Sequence, residues 1–320
     1  MSQKKEMHSK VIIIGSGPAG YTAAIYAARA MLNPVLISGM EPGGQLTTTT
    51  DVENYPGFAD VIQGPWLMEE MRKQAEAVGT IFKNDMIKEV NFKNSPFELL
   101  GESGEKYTAD SVIISTGAQA RWLNLETETK YRGFGVSACA TCDGFFYKEK
   151  EVIVVGGGNA AVEEALFLTK FASKVTLVHR RDSLRAEKLL QQKILSHPKI
   201  KIIWDSAVKE VLGTENPKGV TGVILENTKN KSTTKVDTHG IFVAIGHDPA
   251  TKIFTNQITM DKEGYILTEA DSTKTNIKGI FAAGDVKDKT YRQAVTAAGM
   301  GCMAALEAEK YISEGVILKY

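Results

Sequence analysis

The hydrophobic positions of this chain fall into short β-branched runs, each followed by a cluster of glycines and then by a helix-like apolar pattern. In the first such unit, the apolar run at residues 10–14 leads into glycines between residues 15 and 20. A continuous run of this kind is typical of a strand that is buried on both faces of a parallel sheet. The spacing that follows predicts a helix over residues 19–31, and residues 35–37 predict a second strand.

The same pattern returns in the middle of the chain, so one supersecondary unit is used twice. Here the predicted elements are a strand at residues 152–155, a glycine turn at 156–158, a helix over about 159–171 and a strand at 175–178. Each unit also carries a later strand pair and a closing apolar strand that runs into a glycine. In the first unit, the strand pair is residues 97–100 with 105–107 and the closing strand is 111–116. In the second unit, the pair is residues 220–225 with 234–237 and the closing strand is 240–245.

One further apolar strand, at residues 279–284, and an alanine-rich helix over about residues 294–311 remain after the second unit. The simplest topology returns this segment to the first domain, so that the middle of the chain is an insertion. We therefore predict an α/β protein of two Rossmann-like three-layer domains, with the second inserted in the first. The predicted boundaries give a first domain of residues 1–118 and 249–320 and an inserted domain of residues 119–248.

The composition is that of an ordinary globular protein, with 43% hydrophobic and 24% charged residues. Lysine plus arginine and aspartate plus glutamate both number 38, so no global attraction to nucleic acid or to an acidic membrane is expected. The apolar run before Gly15 has only four residues, Val11 to Ile14, which is too short for a secretory signal, and no apolar run is long enough to span a membrane. We expect a soluble, cytoplasmic protein that binds neither nucleic acid nor membrane.

Each glycine cluster follows a predicted strand and opens a predicted helix, which is the context in which such a cluster binds a dinucleotide. In the first cluster, Gly15 permits the tight turn, Gly17 lets the backbone approach a pyrophosphate, and Gly20 allows close packing of the helix. The helix N-terminus supplies unpaired N–H groups and a favourable dipole for the phosphates. The alternative interpretation is an ordinary glycine-rich turn between a strand and a helix.

In the second cluster, Gly156 and Gly158 keep these positions, and Ala161 takes the place of the third glycine, a small residue that the motif permits. The next predicted strand ends in a basic segment, residues 179–185, which contains His179, Arg180, Arg181 and Arg185. Guanidinium groups at this position accommodate a 2′-phosphate, whereas a carboxylate would bind the ribose hydroxyls. The basic segment therefore favours NADPH over NADH, and the alternative is a solvated basic stretch.

The corresponding strand of the first unit ends at Ser38 without an acid, although Glu41 lies three residues further on and is a candidate. The first nucleotide is therefore expected to use additional contacts. Gly284 and Asp285 follow a predicted strand and offer one, because an aspartate at that turn can accept hydrogen bonds from the sugar-alcohol chain of a flavin. The helix from Ala294 would aim its positive end at the flavin ring. The alternative role of Asp285 is that of a turn or capping residue.

Three cysteines are too few for a disulfide framework, and two of them lie close together as Cys139 and Cys142. A zinc site needs four ligands, and no second Cys or His pair lies at a matching spacing, so we expect no metal. Two such thiols can instead cycle between dithiol and disulfide. Asp143, directly after them, is the nearest acid and base, and its alternative role is a turn residue. Cys302 lies in the predicted C-terminal helix and is expected to be a buried core residue.

Together these motifs resemble the low-molecular-weight, bacterial-type thioredoxin reductase family, class II pyridine nucleotide-disulfide oxidoreductases, from about residue 10 to about residue 312. A Cys-Ala-Thr-Cys-Asp-Gly run between two dinucleotide motifs is a highly specific combination, whereas the glycine motifs alone fit many flavoenzymes. The shared segments are residues 15–20, 43–50, 52–57, 139–146, 156–159, 179–181, 244–247, 283–285 and 291–294.

The resemblance implies a homodimer that holds FAD in the discontinuous domain and NADPH in the inserted one. It implies that electrons pass from NADPH through FAD and a disulfide to thioredoxin, with Cys142 facing the flavin, Cys139 exchanging with thioredoxin and Asp143 as acid and base. It also implies two arrangements of the inserted domain, because the disulfide and the nicotinamide must each reach the same flavin. The expected FAD contacts are Gly15, Gly17, Pro18, Ala19, Gly20, Glu41, Gln45, Asn54, Thr116, Gly117, Gly284, Asp285, Arg292, Gln293 and Ala294. The expected NADPH contacts are Gly156, Gly158, Asn159, Ala160, Ala161, His179, Arg180, Arg181, Arg185, Ile245 and Gly246.

The nearest alternative is another flavin disulfide reductase of the same architecture, such as the reductase component of a peroxiredoxin system. Such proteins usually carry an additional thioredoxin-like N-terminal segment, and only nine residues precede the first predicted strand here. A second alternative is a non-catalytic redox sensor that binds flavin and NADPH. Turnover distinguishes it, because a sensor would not sustain thioredoxin-dependent oxidation of NADPH.

Overall fold

The computed structural model describes residues 6–49 and 51–317. The two chain ends of the first predicted domain and Thr50, the last residue of the 43–50 motif, lie outside the described residues. The chain divides into two compact units. The first is formed by the residues up to Gln119 and from Asp248 onward, and the second by Ala120–His247.

Both units contain helices and strands. The helices are α1 (Pro18–Arg29), α2 (Gly64–Ala77), α3 (Glu126–Lys130), α4 (Ala140–Asp143), α5 (Asn159–Leu168), α6 (Lys188–Leu195) and α7 (Ala294–Ile317). The strands are β1 (Glu6–Ile14), β2 (Val35–Ile37), β3 (Asp51–Val52), β4 (Ile62–Gln63), β5 (Ile81–Lys83), β6 (Ile87–Asn91), β7 (Phe97–Gly101), β8 (Lys106–Ile114), β9 (Ala118–Ala120), β10 (Val136–Ser137), β11 (Glu151–Val155), β12 (Lys174–Val178), β13 (Ile200–Ile203), β14 (Ser206–Glu215), β15 (Lys218–Asn227), β16 (Thr233–Asp237), β17 (Gly240–Val243), β18 (His247–Pro249) and β19 (Ile280–Ala282). Over the described part of the chain, none of these helices combines the length and the apolar character that crossing a membrane requires.

The first unit is built on a sheet in the order β5-β2-β1-β8-β7-β6, with β19 also paired to β8. The strands β5, β2, β1, β8 and β19 pair in parallel, and β7 and β6 extend the sheet through antiparallel pairs. Because β19 pairs with Val112–Ile114 of β8, the C-terminal segment belongs to this first sheet.

Both faces of the first sheet are covered. Along β1, Val11 and Ile13 pack into a core with α1, α2 and α7, whereas Ile12 and Ile14 face a second core that includes β6, β7 and Phe254. Successive side chains of a strand point to opposite faces, so a strand covered on both sides must be apolar throughout. This explains the uninterrupted apolar run that marks β1 in the sequence.

The second unit repeats this plan with a parallel sheet in the order β10-β17-β11-β12-β13. Val152 and Val154 of β11 pack beneath α5 and α6, whereas Ile153 and Val155 pack against the antiparallel sheet β14-β15-β16. Each unit therefore has a sheet between two covering layers. The predicted α/β fold of two Rossmann-like three-layer domains is confirmed.

Several element boundaries differ from the predicted ones. The strands predicted separately at residues 105–107 and 111–116 form the single strand β8, because β1 pairs with it from Lys106 to Ile114. On its other edge, β8 pairs with β7 along its first half and with β19 along its second half. The helix α1 ends at Arg29 because Met31 adopts a left-handed conformation, with φ 58°. The helix α5 ends at Leu168, and the turn after it replaces the predicted helical residues up to 171.

Candidate active site

The first glycine turn connects β1 to α1, and two of its glycines are required by close backbone contacts. Gly15 has φ 107°, and a Cβ atom added there would lie 2.3 Å from the carbonyl oxygen of Ser115. A Cβ atom added at Gly20 would lie 2.0 Å from the carbonyl oxygen of Gly15. Any side chain at either position would displace the backbone, so these glycines hold the turn tight and the helix close.

Gly17 differs from both, because its surroundings are open. It is the N-cap of α1, and no described atom lies within 4 Å of a Cβ added there. No side chain caps this helix end, and its first turn carries no acidic residue. The exposed N–H groups of an uncapped helix end bind anions. The space in front of Gly17 therefore fits the pyrophosphate of a dinucleotide.

A second element of the same unit reaches this helix end. Gly284 has φ 78°, and a Cβ atom added there would lie 3.0 Å from the Cβ of Ala19 in the first turn of α1. The neighbouring Asp285 has its pKa raised to about 7 by burial and by the charge of Asp288, against the opposing charge of Arg292. A shielded carboxyl group of this kind fits hydroxyl donors, such as those of a sugar-alcohol chain.

Two predicted flavin contacts from distant parts of the chain meet in this unit. The Nδ2 atom of Asn54 donates a hydrogen bond to Oε1 of Gln293, 3.4 Å away, just before α7 begins at Ala294. The side chain of Gln45 donates to the carbonyl oxygen of Ala118. The structure thus brings Asn54 and Gln293 together beside the N-terminus of α7, whose first turn carries no acidic residue.

The strand-end positions of the first unit are arranged differently from those of a simple NAD site. The hydroxyl of Ser38 donates to Oδ1 of Asn84 at 3.0 Å. Glu41 is exposed in the following turn. The Oγ1 atom of Thr116 donates to the carbonyl oxygen of Ala250 at 2.8 Å. Ser38 and Thr116 are therefore engaged within the protein, and Glu41 faces solvent.

The second glycine turn, between β11 and α5, has the same geometry. A Cβ atom added at Gly156 would lie 2.4 Å from the carbonyl oxygen of Ala244 and 2.5 Å from the Cβ of Ala161. Gly158 is the uncapped N-cap of α5, and no described atom lies within 4 Å of a Cβ added there. This turn also fits a pyrophosphate.

The basic segment lies directly beside this turn. The backbone N–H of Arg185 donates to the carbonyl oxygen of Gly157 at 2.7 Å. Arg180, Arg181 and Arg185 are exposed, and no carboxylate of the described chain forms an ion pair with them. Three guanidinium groups next to a pyrophosphate site are a donor set that suits a 2′-phosphate.

The amide of Asn159 connects this site to α6. Its Oδ1 atom accepts the backbone N–H of Glu187 at 2.8 Å, and its Nδ2 atom donates to Oε1 of Glu187 at 3.2 Å. Glu187 is the N-cap of α6. Asn159 thus fixes the segment that follows the arginines, a role that its place in the motif did not reveal.

Cys139 and Cys142 form a disulfide bond with a Cα–Cα distance of 5.3 Å. The pair lies on the short helix α4, where Cys139 is the half-buried N-cap residue and Cys142 is exposed. The Sγ atom of Cys139 accepts the N–H of Cys142 at 3.2 Å and lies 3.3 Å from the hydroxyl of Thr141. Donors at this sulfur would stabilise a thiolate.

Asp143 ends the same short helix, and its burial raises the pKa of its carboxyl group. A hydrogen bond from Ser137 opposes this effect. The burial of Tyr147 and the charge of Asp143 raise the pKa of the tyrosine hydroxyl to about 12. The disulfide therefore has a carboxyl group beside it that holds a proton more readily than an ordinary aspartate.

The chain is similar to known proteins over nearly its full length. Residues 9–301 match the family of pyridine nucleotide-disulphide oxidoreductases. The thioredoxin reductase of Rickettsia bellii is 63% identical over 306 residues, which cover 96% of this chain and 99% of that protein. The thioredoxin reductase of Escherichia coli O157:H7 is 53% identical over 313 residues, which cover 95% and 96% of the two chains. The chain belongs to the thioredoxin reductase family.

Solved structures agree with this family membership. The thioredoxin reductase of Giardia duodenalis superposes with a TM-score of 0.92 at 43% identity, covering 96% of this chain and 99% of that chain. The thioredoxin reductase of Streptococcus pyogenes gives a TM-score of 0.91 at 42% identity, with the same coverage. The family predicted from the sequence motifs is confirmed.

The prediction that Cys302 is a buried core residue is wrong. Its thiol is partly exposed and hydrogen-bonds Tyr26 of α1. The reason is its position on α7, where Ala304 and Ala305 face the core and Leu306 is 54% exposed. The apolar pattern of α7 is nearly continuous, so it does not reveal which residues point outward.

Sequence reasoning also missed Ser16 and Ser137. The hydroxyl of Ser16 donates to the carbonyl oxygen of Ser38 at 2.9 Å and accepts the N–H of Gly43 at 3.0 Å. It therefore connects the first glycine turn to the loop after β2. The Oγ atom of Ser137 accepts the N–H of Cys139 at 3.0 Å. Serine at these positions carries no distinguishing local signal, because its partners are set by the tertiary fold.

Proposed function

We propose that this protein uses electrons from NADPH to reduce the disulfide of thioredoxin, through FAD and the Cys139–Cys142 disulfide. The observation that carries the proposal is the composition of the second unit, which holds both a disulfide and an uncapped glycine turn beside three exposed arginines. The names of relatives that match over nearly their full length support thioredoxin as the protein substrate.

The first unit is the proposed FAD-binding domain. Its support is the open space at Gly17, the shielded carboxyl group of Asp285 and the α7 N-terminus beside Gln293. The N–H groups at α1 would bind the pyrophosphate, and Asp285 would accept hydrogen bonds from the sugar-alcohol chain. When bound, FAD supplies the two-electron chemistry that links hydride transfer from NADPH to reduction of a disulfide.

The second unit is the proposed NADPH-binding domain. Gly158 at the start of α5 would receive the pyrophosphate, and the exposed guanidinium groups of Arg180, Arg181 and Arg185 would hold the 2′-phosphate. NADH lacks this phosphate, so the arginines would select NADPH.

The cysteine pair would carry out the exchange with thioredoxin. An electron pair breaks the S–S bond and leaves two sulfurs, one of which takes a proton from Asp143. The Cys139 thiolate attacks the thioredoxin disulfide, forms a mixed disulfide and expels one thioredoxin thiolate, which takes a proton. Cys142 then returns its proton to Asp143 and attacks the sulfur of Cys139, which restores the Cys139–Cys142 bond and releases the second thioredoxin thiolate. The donors at the Cys139 sulfur support its role as the attacking thiolate.

A homodimer in the cytoplasm is part of the proposal. The apolar side chains of Tyr26, Met303 and Leu306 on α1 and α7 are exposed, which supports a dimer interface in which a second copy of this chain buries them. A reductant of disulfides also suits a compartment that keeps thiols reduced. Leu306→Glu should shift the protein toward a monomer in size-exclusion chromatography, and an unchanged elution volume would count against this face.

The central experiment follows NADPH oxidation by the purified protein after oxidised thioredoxin is added. Cys142→Ser should abolish turnover while NADPH still reduces the flavin of the variant, because hydride transfer does not need the disulfide. Cys302→Ser is the matched control and should turn over like wild type. A wild type that reduces its flavin but not thioredoxin would refute the partner and favour a redox sensor or another disulfide reductase. A protein without flavin would refute the cofactor assignment.

A further inference from the structure

Unlike the arginines of the basic segment, His179 is buried, with 4% of its surface exposed. Its Nε2 atom lies 3.0 Å from the carbonyl oxygen of Ser183, and the ring also hydrogen-bonds the backbone of Gly156. A Cβ atom added at Gly157 would lie 2.2 Å from the ring atom Cε1. The imidazole therefore fills the space between the glycine turn and the basic segment, and it is packed away from solvent.

We propose that His179 is a positioning residue for the 2′-phosphate of NADPH, which fastens the basic segment to the glycine turn without touching the phosphate itself. The inference rests on the proposed function, in which the second unit binds NADPH. It differs from the expectation drawn from the sequence, in which His179 is one of the nucleotide contacts.

The contacts on each side of the ring carry this assignment. The Ser183 carbonyl belongs to the basic segment, and Gly156 and Gly157 belong to the turn that would hold the pyrophosphate. The Arg185 N–H bond to Gly157 is a second tie between the same two segments. A loop held at two points keeps its guanidinium groups at a fixed distance from the pyrophosphate site, and this pre-organisation lowers the cost of binding.

The charges around the ring distinguish a positioning role from simple packing. Burial lowers the pKa of His179, and the positive charges of Arg185 and Arg181 lower it further. The hydrogen bonds to Ser183 and Gly156 act in the opposite direction and favour the protonated ring. A neutral imidazole has one N–H donor and the protonated ring has two.

The remaining neighbour of the ring carries no charge. Trp204 packs edge-on against His179, with ring centroids 6.3 Å apart, and the glycine turn has no side chains. The two arginines are therefore the charged groups that oppose protonation. A 2′-phosphate bound to them would offset their charge, so the ring should take up a proton from solvent when NADP⁺ binds.

The test measures binding of NADP⁺ and NAD⁺ to the flavin-containing protein by titration calorimetry at pH 7. Two buffers of different ionisation enthalpy give the number of protons taken up. The phosphate itself titrates near pH 6 and contributes to this number. The comparison of wild type with His179→Gln isolates the ring, because a glutamine amide can still donate to Ser183 but cannot be protonated.

His179→Ala should bind NADP⁺ about tenfold more weakly, the effect of one lost hydrogen bond, while its affinity for NAD⁺ stays near that of wild type. His179→Gln should keep most of the NADP⁺ affinity and take up fewer protons than wild type. Val175→Ala is the matched control, since Val175 is fully buried on the strand that leads to His179. This control should leave the ratio of the two affinities unchanged.

Two results would overturn the inference. One is an equal effect of His179→Ala on NADP⁺ and NAD⁺, or none on either, and the other is wild-type proton uptake in His179→Gln. If His179→Ala does not fold, the proton count of His179→Gln and its affinity ratio decide the matter. A folded wild type that binds neither nucleotide would refute the proposed function itself, which is a distinct outcome.

Discussion

The hydroxyl of Ser137 hydrogen-bonds the carboxyl group of Asp143, and the same Oγ atom accepts the N–H of Cys139 at 3.0 Å. One buried side chain thus joins the proposed acid and base to the cysteine that would attack thioredoxin. The Oγ proton has two acceptors in reach, the carbonyl oxygen of Cys139 at 3.4 Å and the carboxyl group of Asp143, and a charged carboxylate is the stronger acceptor. This bond opposes burial, which raises the pKa of the Asp143 carboxyl group.

Ser137→Ala should raise the pKa of Asp143 further, because it removes the hydrogen bond that favours the charged form. The acid limb of the pH profile for thioredoxin-dependent NADPH oxidation should therefore move to higher pH. Ser137→Thr keeps the hydroxyl and should restore the profile. Flavin reduction by NADPH, followed by stopped flow, should be the same in all three proteins. A Ser137→Ala profile that coincides with wild type would contradict the role of this bond.

The two kinds of glycine in the first turn should respond differently to the same substitution. Gly17→Ala should leave the stability of the flavin-free protein near that of wild type and reduce FAD affinity about tenfold or more, because the new methyl group projects into the open space at the helix end. Gly20→Ala should prevent a stable fold, since its Cβ would lie 2.0 Å from a backbone oxygen. Gly158→Ala should leave the affinity for FAD unchanged and reduce the affinity for NADP⁺. Thermal melts and flavin absorbance check each case, and a Gly17→Ala protein that retains full FAD affinity would refute the site.

The elements that the sequence predicts best are those whose pattern is local. The glycine turns follow apolar strands directly, and Gly15 has the positive φ that its place in the motif requires. The strand β8 was harder to predict, because it pairs with β7 along one half and with β19 along the other. Polar residues near position 110 interrupt its apolar pattern, and the parallel pairing with β1 from Lys106 to Ile114 makes it one strand.

In the candidate site too, features with a local sequence pattern can be predicted, and features that depend on tertiary packing cannot. The spacing of Cys139 and Cys142 is sufficient to predict the disulfide that the structure contains, whereas the phosphate site at the arginines stays a prediction. The buried position of His179 and the contact between Ser137 and Asp143 depend on how separate loops pack, and a single sequence has no local signal for them. Sequence patterns predict these chemical groups, and the structure adds the side chains that contact them.

Asp285 should make the stability of the flavin-free protein depend on pH. Its pKa is raised to about 7 in the fold, above the unfolded value, so its contribution is full below the unfolded pKa and is lost as pH rises through about 7. Between pH 5 and pH 8, wild type should lose about 2–3 kcal/mol of unfolding free energy relative to Asp285→Asn, which cannot ionise. Urea unfolding of both proteins at several pH values measures the difference. Parallel stability curves would show that Asp285 is not held protonated.

The arginines of the basic segment should decide between the two nicotinamide cofactors. Arg181→Ala or Arg185→Ala should raise the KM for NADPH about 10- to 100-fold, because a charge-assisted hydrogen bond to the 2′-phosphate is worth about 1.5–3 kcal/mol. The KM for NADH should hardly change, since that cofactor has no phosphate for the arginine to bind. Lys193→Ala removes an exposed cation of α6 and controls for the loss of charge alone. If the KM values for NADPH and NADH rise to the same extent, the arginines act through the overall electrostatic field of the domain. The selectivity for NADPH must then arise from other residues.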